Sequence, residues 1–587
     1  MTQIERSPQE DLPRRSLLSV VVGSIVCGII VTGAVGYFGW TFLERLDSNN
    51  NVDSTEALEL AKFALTVTAG LGAVIALVVA YRRQRVDEAA HHLSAMAGHR
   101  DQIRLLSERF STASTLLGNQ EAAATRLAGV YAMATLADEW EDQRQSCVDV
   151  LCAYLRLPYS LTDLDRAERQ VRFAVYSVIR SHLSPESPIS WRNLSFDLSD
   201  ANLCDGSLAG IEITEGSLSL ANSIVSKPGF SLDGAEFRNA TVDLSGLRVE
   251  SGKLSFTGTI FIDSIVNAYA SSVLSDGVID FGNANIFGRS ALKFEKMSLN
   301  GGWLNFDRTS ILWDRTARMP PHESSISFKD SKFDGGLCTF RNMEVESSRI
   351  GIHSDRRPSP IDFSSTRSTN SIVSFSKATL PDGRINLGSM RIDGGKLSFE
   401  RMRVGDGLID LSGAVLSDGW ISFDDAKFST SGDADDNLII PTWLRNLDGK
   451  TNEERRTVRY LSLDHPPSFL DFSGATLDGG NITFEGMDAT YGKIDFVDCR
   501  LTATAIWVAT WSIGSAVWDF WLSEFSGGLF VFALPSNMVF LIDADQVSGR
   551  PFAVIERRFH HGSEDELRMV GSLEEISRHV YGISVSE

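Results

Sequence analysis

Residues 397–428 contain Leu397-Ser398-Phe399-Glu400-Arg401-Met402-Arg403-Val404, then Ile409-Asp410-Leu411-Ser412-Gly413-Ala414-Val415-Leu416, then Ile421-Ser422-Phe423-Asp424-Asp425-Ala426-Lys427-Phe428. One pattern, I-x-F-x-x-A-x-L, thus occurs three times at a spacing of twelve, and turns such as Asp418-Gly419 fill the gaps. A fixed period of this kind marks a repeat architecture, in which no single unit can bury its apolar face alone. Residues two apart on a strand share a face, so I-x-F and A-x-L read as two short strands pointing inward.

The unit extends in both directions. It precedes this stretch at Phe363, Phe375 and Leu387 and returns at Phe472, Phe484 and Phe496. Upstream it runs through Phe196, Leu208, Leu220, Leu232, Leu244 and Phe256, slips near Ala268, and resumes at Phe281, Phe294, Phe306, Phe328 and Phe340. A coil made of one unit leaves little room for a Phe inside. Two units, about 24 residues, are therefore expected to make one rectangular coil, with a single unit of twelve as the alternative. Roughly twenty units then give about ten coils, stacked about 4.8 Å apart into a parallel β-solenoid about 50 Å long. Asp334, Asp393, Asp418 and Asp478 each precede a Gly, which supplies positive φ at a corner.

Three interruptions break the array, near 308–324, near 347–360 and, longest, at 430–468. The last holds Trp443 and the basic residues Arg455, Arg456 and Arg459. Loops on a rigid scaffold are favoured places for binding, and a plainly tolerated insertion is the equal alternative.

The first coils keep a stricter register, with Leu198, Leu203, Leu208, Ile213 and Leu218 five apart, and Ser199-Asp200-Ala201-Asn202-Leu203 fits the A-(D/N)-L-x-x pentapeptide. The helical stretch before the array carries Glu108-Arg109-Phe110, Leu117-Gly118, Arg126-Leu127-Ala128-Gly129-Val130-Tyr131-Ala132 and Val148-Asp149-Val150-Leu151-Cys152-Ala153-Tyr154-Leu155. On these residues the chain resembles the membrane-anchored pentapeptide-repeat proteins of actinobacteria. Its later coils depart from the family pattern by inserting two residues on every second side. The resemblance implies a right-handed, pentapeptide-repeat-like solenoid in a bacterium; the family has no agreed single activity.

Ahead of the array, residues 17–43 and 58–81 are apolar and long enough to cross a hydrocarbon core, which predicts two transmembrane helices. Arg14 and Arg15 precede the first run, Arg82, Arg83 and Arg85 follow the second, and the loop 44–57 between them has Arg45 as its one base. The positive-inside rule then puts the tail 1–16, the solenoid and the C-terminus in the cytoplasm, on a multi-pass protein of the bacterial plasma membrane. Pro13-Arg14-Arg15-Ser16 is similar to the start of a twin-arginine signal, but the apolar run is too long for a signal core and lacks an A-x-A site. Gly28, Thr32 and Gly36, like Ala69 and Ala73, recur every fourth residue and are expected to pack inside the hairpin.

Residues 86–185 read as a helical domain. Its apolar stripes are Ile103, Leu106, Phe110, Ala113 and Leu117, then Ala124, Leu127, Ala128, Tyr131 and Leu136, then Val148, Leu151, Cys152 and Leu155. Arg109, Arg126 and Asp149 are expected in inter-helix ion pairs. This domain should cover the first coil of a solenoid spanning 190–501. Residues 502–587, with Trp507, Trp511, Trp518 and Trp521, are expected to cap the last coil, a contact of the aromatic cluster with a membrane surface or a partner being the alternative.

Composition narrows the function. The formal charge of −21 disfavours nucleic-acid binding, which needs clustered Lys and Arg. None of the six cysteines forms a CxxC or zinc-like spacing with His, and no Walker, Rossmann or nucleophile-elbow motif occurs. The expectation is a membrane-tethered scaffold for an unidentified protein partner, with no catalysis, cofactor, metal or small-molecule substrate. Homo-oligomers through the transmembrane helices or the solenoid end fit the same reading. Two alternatives stand beside it. One is a DNA mimic that engages a topoisomerase or another DNA-binding protein, which needs a dense acidic stripe. The other is a β-helix hydrolase, which needs converging carboxylates.

Overall fold

The computed structural model describes residues 17–46, 54–158, 166–312, 325–345, 359–429 and 468–509, together with several short strands between 512 and 570. The tail 1–16 and most of the loop 44–57 lie outside the described residues. The chain divides into two units, Met1–Glu108 and Arg109–Glu587.

The first unit contains helix α1, Leu17–Leu46, and most of helix α2, Ser54–Leu117. Among the described residues one stretch, Ala61–Arg85, is long and apolar enough to cross a membrane, with a mean hydropathy of 2.3. The apolar stretch in α1 is shorter, Val26–Phe42, so length and composition support one span rather than the expected two. Among the described residues the hairpin packing expected of the small side chains is absent. A methyl group added at Gly28 or Gly36 would meet no heavy atom within 4 Å.

The second unit opens with the end of α2 and three further helices, α3 Ala123–Glu139, α4 Arg144–Arg156 and α5 Arg166–His182. α2 stops where its sequence says it should: Gly118 N–H donates to Ser114 O at 2.9 Å, and Asn119 Oδ1 accepts the N–H groups of Glu121 and Ala122. Val148, Leu151, Cys152 and Leu155 are buried as expected. The stripe on α3 is rotated by about one residue: Tyr131 is 52% exposed, while Val130, Met133 and Ala137 are buried. The cause is Gly129, whose bare Cα lets α3 meet the end of α2 so closely that a Cβ there would lie 2.5 Å from Leu117 N. Burial pushes the Cys147 thiol up to about 11 and the Cys152 thiol up to about 12, so both act as small apolar core groups.

This helical domain closes the first coil, as expected. Gln145 bonds the backbone of Ser195 through both its amide groups, at 2.7 and 3.0 Å, and Arg156 pairs with Asp197. The connecting chain lends carbonyls to the next coil: Glu212 N–H donates to Leu183 O, Thr214 N–H to Arg192 O and Ser217 N–H to Leu194 O. Arg109 pairs with Glu139 and Arg126 with Glu168 at 3.1 Å, the inter-helix ion pairs expected of them, whereas Asp149 accepts from Gln145 of its own helix α4 instead of pairing across helices.

The rest is a parallel β-solenoid of about ten coils. Ile385 pairs with Ile409, Arg391 with Val415 and Ile372 with Lys396, each two units further along the chain, which settles the coil at two units. Each coil has four short strands, and their ladders group into two sheets of 22 strands. Leu198, Leu203, Leu208, Ile213 and Leu218 are all buried, so the five-residue register does mark the inward positions.

Contrary to the expected strand assignment, the F and A of I-x-F-x-x-A-x-L lie at a corner. Met402 N–H donates to Phe399 O and Ala414 N–H to Leu411 O, each closing a tight turn between the two sheets. The third turn residue has positive φ, as at Arg308 (59°), Lys377 (61°) and Arg401 (56°), the geometry a type II turn requires. The Asp-Gly corners join strands of the same sheet and also use positive φ, as at Gly335 (69°) and Gly394 (82°). The slip near Ala268 is absorbed at such short corners. Lys253 pairs with Val278 and Ile265 with Ala291, one and two positions beyond the usual spacing, while the strands keep their register.

The phenylalanines stack down the hollow. Phe256, Phe281, Phe306, Phe340, Phe375, Phe399, Phe423 and Phe484 form one column whose neighbouring centroids are 4.6 to 5.3 Å apart with near-parallel planes. All are fully buried. Phe306→Ala removes a ring between two others and should cost about 3–5 kcal/mol. Urea unfolding followed by Trp emission measures this, with the exposed Arg104→Ala as the neutral reference.

Candidate interaction surfaces

Each coil presents outward whatever residues flank its inward ones, and these align from coil to coil as columns. The residue just before a turn is Asp, Asn, Ser or Thr in most coils. Its role is structural. Asp362, Asp410, Asp471 and Asp495 each accept, through Oδ1, the backbone N–H two residues on, at 2.8 to 3.1 Å. Asp197, Asp243, Asp280 and Asn386 do the same in other coils. A turn in this conformation leaves that N–H pointing out of the ladder, and a short acceptor satisfies it. Asp410, fully buried, also pairs with Arg384, and Asp495 with Lys493 at 2.6 Å. The recurrent carboxylates are thus occupied by the corners that recur with them.

The three interruptions share one corner. The strands that lead into them, Ser310–Leu312, Glu344–Val345 and Lys427–Phe428, lie in one ladder, connected through Thr379 and Arg403. The strands that follow, Ile326–Ser327, Ile361–Asp362 and Ser468–Asp471, lie in the adjoining ladder of the same sheet. The insertions therefore leave the first, second and fifth of five successive coils at the same edge. Trp443, Arg455, Arg456 and Arg459 fall outside the described residues; the edge they spring from does not.

The C-terminal aromatic residues separate. Trp507 is 43% exposed in strand Ala505–Ala509, in register with Thr483 and Val531. Trp518 lies in strand Ser512–Asp519, in register with Ile494 and Phe540, and Trp511 and Trp521 lie outside the described residues. The parallel ladders do not end at 501, where a cap was expected to begin: Leu501 pairs with Phe525, and Ile506 with Phe530, which pairs with Val554. The antiparallel pair Ala553–Arg558 and Glu566–Val570 is where the stacking direction changes.

Two surface features escape the periodic pattern because they occupy outward positions that vary from coil to coil. Val278, Trp303, Leu337, Ile372, Lys396 and Trp420 follow one another down one face, an outward column of mostly apolar residues, with Ile372 44% and Trp420 45% exposed. Beside it, over the corner that follows, a cavity of about 440 Å³ is lined by polar and basic side chains, Arg308, Arg341 and Lys377 among them. Aligning the repeats by coil, rather than by unit, is the reading of the sequence that finds both. Among the described residues no group of three or more His, Cys, Asp or Glu side chains is placed to hold a metal ion.

No family model and no curated protein matches this chain.

If the Asp column serves the corners, Asp471→Ala should lower stability by about 1 kcal/mol, whereas Asp471→Asn, which keeps the acceptor, should stay within about 0.5 kcal/mol of the parent. Paired urea titrations of the two variants decide the point.

Proposed function

We propose that this protein is a membrane-tethered, non-enzymatic scaffold whose solenoid presents one edge to a protein partner in the bacterial cytoplasm. The convergence of the three insertions on that edge carries the reading. Each coil has two within-sheet corners that can take extra residues, and all three insertions use the same one of the two. A selective use of one corner is what a surface built for recognition requires, and a rigid array holds several loops at fixed spacing. Trp443, Arg455, Arg456 and Arg459 supply the residue types that dominate interface energetics, an aromatic anchor and guanidinium groups. Trp507, Trp511, Trp518 and Trp521 offer a second contact or a place for self-association.

Support for the tether comes from the exposed apolar stretch Ala61–Arg85 and, as a second span, from the sequence of α1, with basic residues on the outer flank of each. Kinship with the pentapeptide-repeat proteins of actinobacteria rests on the inward register of Leu198 to Leu218 and on the helical motifs before it. The DNA-mimic reading is the weaker one. It needs an unbroken acidic stripe, and the outward columns set bases among the acids, as with Arg384 on Asp410, Arg391 on Asp393 and Arg401 on Asp425. The hydrolase reading has no free converging pair to draw on among the recurrent Asp residues.

Cross-linking in membranes, followed by recovery from detergent, tests the edge. The full chain should retain partners that a variant lacking 432–466 loses by about tenfold, with unchanged thermal unfolding. Equal recovery by both removes the insertion from the interface. Labelling Asn50→Cys and Asp11→Cys in intact cells with a membrane-impermeant maleimide tests the topology. The first should react and the second should not.

A further inference from the structure

We propose that the corner carrying Arg308, Arg341 and Lys377 binds a nucleotide, its phosphates on Arg308 and Lys377, with Arg341 between them paired to Asp307, and its base on the apolar column beside them. The three side chains come from successive coils, whose rings Phe306, Phe340 and Phe375 stack directly beneath the corner. With coils about 4.8 Å apart, the cations span about 10 Å, the reach of a chain of two or three phosphates. They project because each follows an inward Phe into the turn, Arg308 and Lys377 at its positive-φ residue.

The charge of the cavity is what singles it out. Among the described residues neither Arg308 nor Lys377 has a side-chain partner, whereas the acids around them are committed. Asp307 is held by Arg341 at 2.6 and 2.9 Å. Asp280 accepts from Gly282 N–H and Asn305 at 2.8 Å and pairs with Lys253 at 2.6 Å. The uncompensated charge is therefore positive, on a chain whose net charge is −21. Gly282 lines this corner without a side chain, where a Cβ would crowd Asp280 Oδ1 at 3.0 Å, and Asn283 and Asn342 line the cavity as neutral hydrogen-bonding groups. A volume of about 440 Å³ is in the range of small-ligand sites.

The second half of the site is Trp303, Leu337 and Ile372. Trp303 precedes the turn residue Phe306 by three positions, about 10 Å along an extended strand. Its indole N–H donates to Thr339 Oγ1 at 3.2 Å, which fixes the ring against the face of the solenoid. Guanidinium and ammonium groups favour phosphate, and an aromatic surface within one strand length favours a planar base over a purely ionic ligand.

The test is calorimetric titration of the full chain in detergent with adenosine triphosphate, pyrophosphate and adenosine, and separately its flotation with phosphatidylglycerol vesicles. The triphosphate should bind, and Arg308→Ala/Lys377→Ala should weaken it by about tenfold or more. Trp303→Ala should weaken the triphosphate by about threefold or more and leave pyrophosphate unchanged. Thermal unfolding of each variant at the parent temperature excludes misfolding; a variant that unfolds earlier is replaced by Arg308→Gln/Lys377→Gln and read the same way. Failure of the triphosphate to bind, or equal affinity in the double variant, overturns the proposal. So does vesicle binding that the double variant loses while the triphosphate is ignored, which assigns the cations to a lipid headgroup. None of these results bears on the edge with the insertions, so the scaffold reading stands or falls separately.

Discussion

An aromatic ring lying flat on the ring one coil below is the contact on which the rest of this molecule depends. From Phe256 to Phe484 the column is unbroken, and its planes stay within a few degrees of parallel. Stacked rings need equal height and equal orientation in every coil, and this in turn demands the same backbone path around each circuit. The hydrogen-bonded ladders, the turns after each Phe and the short acceptors that satisfy those turns all follow from that demand. Where the chain has one residue too many, as between Leu274 and Val278, the excess goes to a corner and the rings remain in line.

The periodic part of this was open to reading from the sequence because inward positions are few, large and repeated. Every Phe named as a repeat marker is buried, and the two-unit coil follows from the volume of that ring. The turn is hidden in the sequence because F and A face inward like strand residues, and because its positive φ falls on Arg, Lys, Asn and Asp as well as Gly. Those side chains tolerate the left-handed region at a cost of about 1 kcal/mol, which a stacked coil easily offsets. The rotation of α3 was hidden for a related reason: Gly129 contributes packing by having no side chain, and apolar periodicity cannot register an absence.

Surface function is legible in a different way. No outward residue repeats for the sake of the fold, except the acceptors that serve the turns. The acids most suggestive of catalysis, Asp362, Asp410, Asp471 and Asp495, repeat because the turns do. The informative positions are those that break the column, such as Arg308 and Lys377 on a corner where other coils carry Gly210, Gly234 and Gly258. Likewise, insertions separated by scores of residues in the chain become neighbours only when the sequence is wound two units to the turn. Their common edge exists in three dimensions and in no local motif.

The shared edge also limits how such a protein can change its length. A gain or loss of one whole circuit leaves every column, turn and loop in place, while half a circuit would carry all later insertions to the opposite side. Duplication in whole circuits therefore alters the distance between loops without altering the direction in which they point. The stacked coils behave as a graduated scale, on which spacing is free to drift and bearing is fixed.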